Sequence, residues 1–65
     1  MARELSEELT ELVYDYVKKY PYTTSAPIVS LAYMRELGDG LRHMELRALI
    51  IKEMDRAKKR IKDEK

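Results

Sequence analysis

The sequence predicts an all-α fold, a compact three-helix bundle with helices at about 3–20, 26–37 and 40–62. Three observations predict it. Two charged arms repeat apolar residues at three- and four-residue steps, the period of a helix with one buried face. Pro21 and the Gly38/Gly40 pair interrupt that period in two places. No segment of useful length alternates as a strand would. At 65 residues the chain is a single helical domain, 1–65. An alternative keeps two helical units, with the second and third helices fused into one.

Residues 3–20 place Leu5, Leu9, Leu12, Val13, Tyr16, Val17 and Tyr20 in one sector of a helical wheel. The acids Glu4, Glu7, Glu8, Glu11 and Asp15 lie opposite and early, and Lys18 and Lys19 come last, as the helix dipole favours. Tyr14 falls on the charged face, where it is either a lone exposed tyrosine or a binding anchor. Pro21 ends the helix, because it removes a donor and pushes Tyr20 out of the α region. Thr24 or Ser25 is the natural N-cap of the next helix, with Pro27 tolerated in its first turn.

Tyr20–Met34 is fifteen residues without a charge, in a chain that is 38% Asp, Glu, Lys and Arg. The helix at 26–37 is apolar nearly all round, which a bundle this small cannot bury. Ile28, Leu31 and Met34 are expected to face the core. Tyr22, Ala26, Val29 and Tyr33 are then the expected contacts for a protein partner or a second copy, with small residues letting another helix approach. Gly38 suits a left-handed position at that helix's end, and Asp39 suits an N-cap. If the helix runs through instead, Ser30, Met34, Leu37, Leu41, Met44, Ala48 and Ile51 form an unbroken heptad stripe. In the third helix Leu46, Ile50, Met54, Ala57 and Ile61 share a face, flanked by Leu49 and Ile51. Its cationic end should fray after Ile61.

Several functions are disfavoured by what the chain lacks. There is no cysteine and one histidine, His43, so neither a disulfide nor a structural zinc site is expected. His43 has no nucleophile arranged with it, so no catalytic residue, cofactor or metal is expected and the chain reads as non-enzymatic. No apolar run approaches the roughly 20 residues of a membrane span. Residues 1–4 begin no apolar signal region, and cysteine usage is compatible with the cytosol. The net charge of +1 argues against a generic nucleic-acid binder. It is unevenly placed: five acids and three bases in 1–19, six acids and nine bases in 39–65.

The chain has no Asn, Gln, Phe, Trp or Cys, and its arms are written in Glu, Lys, Arg, Leu and Ala. That composition resembles computationally designed helical mini-proteins, which implies a scaffold or a binder rather than an enzyme. Thermophile proteins share part of it. Met34-Arg35-Glu36-Leu37-Gly38 is similar to the segment that closes the first helix of helix-turn-helix DNA readers. That likeness implies a recognition helix beginning near Arg42, His43 and Arg47. Asp39 stands where that family carries an apolar residue, and the usual adenine readers Asn and Gln are missing. The run Met34–Leu41 also resembles the helical death motif of apoptosis regulators, which requires the fused helix. Leu46-Arg47-Ala48-Leu49-Ile50 is close to the leucine box that docks on nuclear receptors, and packs equally well as core.

Overall fold

The computed structural model describes residues 5–38 and 40–64, and places three helices there: α1 at Glu7–Lys19, α2 at Ser25–Met34 and α3 at His43–Asp63. The three-helix bundle is therefore the fold, and the fused alternative is not: residues 35–38 and 40–42 are non-helical.

Each helix starts and stops for a local reason. Ser6 is the N-cap of α1, its Oγ accepting from the Leu9 N–H at 3.3 Å. Glu7 and Glu8 then sit in the first turn and Lys18 and Lys19 in the last, each favoured by the helix dipole. The helix thus begins later than position 3, because the cap lies at Ser6. After Tyr20, the Thr23 N–H donates to the Tyr20 carbonyl at 3.0 Å, closing a turn with Pro21 at its second position. Thr24 is the N-cap of α2, although its hydroxyl makes no capping bond.

The end of α2 differs from expectation. It stops at Met34, and the left-handed residue is Glu36, with φ 56°. The Glu36 N–H donates to the Tyr33 carbonyl (3.1 Å) and the Leu37 N–H to the Ala32 carbonyl (2.8 Å). This is the Schellman pattern, built on a glutamate rather than on Gly38. Gly38 has no positive φ; it is buried against the Tyr33 ring and Leu46. Gly40 is the glycine that uses its freedom, at φ 72°, in a turn closed by the Leu41 N–H on the Gly38 carbonyl at 2.9 Å. The N-cap of α3 is Arg42, so α3 begins at His43 rather than 40; Asp39, the expected cap, lies outside the described residues. At its far end α3 stays helical to Asp63, beyond Ile61.

The core sits where the three apolar stripes meet. Leu9, Val13 and Val17 come from α1, Ile28, Val29 and Ala32 from α2, and Leu46, Ile50, Met54 and Ala57 from α3, with Leu41 from the connection. Each fully buried large side chain stabilises the fold by roughly 1.5–3 kcal/mol relative to exposure. The main interface is α1 on α3; α2 lies chiefly on α3 and touches α1 least.

Candidate interaction surface

Which residues α2 can offer to a partner follows from which it gives to the core. Ser25, Ile28, Val29 and Ala32 are its buried positions. At about 100° per residue they fill one sector of roughly that width. Met34 falls opposite that sector, because three-residue steps drift around the wheel by about 60° each. Two expectations are therefore corrected. Val29 is 2% exposed and belongs to the core, and Met34 is 78% exposed and does not. Ile28 is buried as expected, and Leu31 is half-buried.

Of the remaining expected contacts, Ala26 is exposed beside Ser30, and Tyr22 stands 98% exposed at the turn after α1. Tyr33 is 44% exposed, yet it is engaged within the chain. Its ring lies over Gly38 and stacks on His43 at 6.3 Å between centroids, and its hydroxyl donates to the Leu41 carbonyl at 3.4 Å. It holds the α2–α3 connection in place. His43 has this ring for its neighbour and sits with Arg47, Ser30 and Thr24 around a shallow groove. No group of residues able to hold a metal ion occurs among the described residues.

Tyr14 is not a lone tyrosine. It is half-buried, and its hydroxyl donates to a Glu64 carboxylate oxygen. The Arg60 guanidinium lies 4.4 Å from its ring centroid and Lys18 Nζ 5.6 Å. Arg60 also pairs with Glu64 at 3.6 Å. The hydrogen bond to that carboxylate, and after it desolvation, raise the Tyr14 pKa above its ordinary value.

Exposed apolar side chains also line an outer face of α3. Met44 is 82% exposed and Ile51 44%, with Ala48 exposed between them. They step by four and three along one outer face, away from the Leu46–Ile50–Met54–Ala57 stripe. This is the α3 half of the heptad stripe; the rest is interrupted by the break after Met34. That face carried its own signal in the sequence, a second four-three step beside the core stripe.

The resemblances fare differently. The death-motif likeness needed one helix through Gly38, which α2 and α3 do not form. Leu46 and Ile50 of the leucine-box segment are fully buried, so they present no docking edge. Arg42, His43 and Arg47 are all exposed at the start of α3. However, residues 35–42 separate the two helices, where a helix-turn-helix uses three or four residues. No helix among the described residues is long and apolar enough to cross a membrane. No protein-family model, curated protein or solved structure matches the chain.

Proposed function

We propose that this chain is a non-enzymatic helical module that works by offering apolar helix surface to another protein chain. The observation that carries this reading is the exposure of Met34, Met44 and Ile51, where the other large aliphatic side chains among the described residues are buried or half-buried. Unbranched methionine adapts to varied partner surfaces, which suits an interaction face. The amide-free composition supports the further reading that the chain is a designed scaffold.

A photoreactive benzophenone side chain at position 44 tests the reading. Irradiation in cell extract should give protein adducts of defined mass, whether with itself or with another chain. Excess wild-type protein should suppress adducts with other proteins and increase those between copies of this chain, and a folded Met34→Glu, Ala48→Glu variant should do neither. Adducts that compete equally with both proteins, or none at all, overturn the reading. Salt-sensitive retention on duplex DNA, weakened by Arg42→Ala and Arg47→Ala, would put a helix-turn-helix reader in its place.

A further inference from the structure

We infer that the occupant of the outer α3 face is a second copy of this chain, packed antiparallel along α3. The inference rests on the protein-contact reading above and names the partner. Met44, Ala48 and Ile51 occupy successive d, a and d positions of a heptad, all exposed. In that frame Glu45 and Lys52 are both e positions, both exposed, and neither takes part in the two ion pairs found among the described residues.

Polarity follows from the charges. In an antiparallel pair, e positions face e positions across the seam. With Ala48 of one copy against Ile51 of the other, Glu45 lies beside Lys52 of the second copy, and the two-fold axis repeats the pair. Asp55, the next a position, then lies against Met44 in the first turn of the other α3, so the apolar seam ends there, at a helix end where a carboxylate is favoured. In a parallel pair, g faces e, and Arg47 would meet Lys52, a repulsion. Ala48 at the centre lets the two backbones come close. Three apolar positions per copy make a small seam, so the dimer is weak and concentration-dependent.

Sedimentation equilibrium of the purified chain, from about 10 µM to about 1 mM, tests this. A reversible monomer–dimer equilibrium is expected, abolished by Ala48→Glu, an exposed change to a good helix former. Glu45→Lys alone and Lys52→Glu alone should each weaken dimerisation roughly tenfold, because two attractions become two repulsions. Mixing these two variants should restore a dimer, now between unlike chains. Circular dichroism of each variant separates lost pairing from lost helix, and the double change Glu45→Lys, Lys52→Glu should dimerise like wild type. A monomer at every concentration overturns the inference. So does a stronger dimer with Lys52→Glu, which would signal parallel packing. A chain that stays monomeric yet gives competed adducts with other proteins at position 44 would keep the protein-contact reading and lose only this one.

Discussion

Glu36 holds φ 56°, a backbone region in which a side chain is strained and glycine is not. Its place is fixed by its neighbours: two backbone bonds close the end of α2 around it. Glu36→Gly should therefore stabilise the fold by about 0.5–1 kcal/mol, read as a higher urea midpoint with an unchanged slope. The sign is informative, since glycine ordinarily costs stability elsewhere through the entropy of the unfolded chain. This feature was hidden in the sequence by Gly38, whose composition advertised a left-handed cap two residues too late. Nothing in the structure requires a glycine at 38: its φ is not positive, and an added Cβ would meet the Tyr33 ring at 3.4 and 3.5 Å, ordinary contact distances.

At the scale of the helix, the two N-caps make unequal contributions although both residues are hydroxylated. Ser6 Oγ accepts from the Leu9 N–H, whereas Thr24 makes no capping bond and the neighbouring Thr23 hydroxyl donates to the Thr24 carbonyl instead. Ser6→Ala should cost about 1 kcal/mol, and Thr24→Ala much less, measured by thermal or urea unfolding of the two variants side by side. Equal losses would mean that the α2 cap forms in solution. The periodicity of α1 and α3 made their core stripes legible: Leu9, Val13, Val17 and Leu46, Ile50, Met54, Ala57 are buried as the wheel requires. For α2 the wheel had little to choose between. Ten residues with hardly a polar position carry no strong preference for one face, so Val29 and Met34 exchanged places. The excess apolar surface expected of α2 is also smaller than its composition suggests. Two of the outward residues, Ala26 and Ser30, are small, and α3 exposes large apolar side chains as well, at Met44 and Ile51.

Across the whole molecule, one polar cluster joins distant parts of the chain. Tyr14 on α1 meets Arg60 and Glu64 at the end of α3. It ties down the end of α3, which stays helical to Asp63 where a chain terminus was expected to fray after Ile61. The pKa of Tyr14 is raised in the folded state, so its contribution is complete below the unfolded value near 10. That contribution is lost as pH rises through the higher folded value. Wild type should thus lose stability in this alkaline range, and Tyr14→Phe should lose less while starting lower. Ultraviolet titration should find one tyrosine ionising late, and that component should vanish in the variant. An unchanged titration would show that the contact does not persist in solution.

The same cluster should also set a rate. It bridges residues 14 and 64, fifty apart along the chain, so most of the sequence lies inside the loop it closes. Because α1 and α3 share the main interface, their packing is expected to bring those ends together before the clasp forms. A contact formed after the folding barrier leaves the folding rate alone and slows escape. In stopped-flow traces of Tyr14→Phe, the unfolding arm should rise while the refolding arm stays in place. Tyr14 would then govern the lifetime of the folded chain rather than the speed at which it is reached.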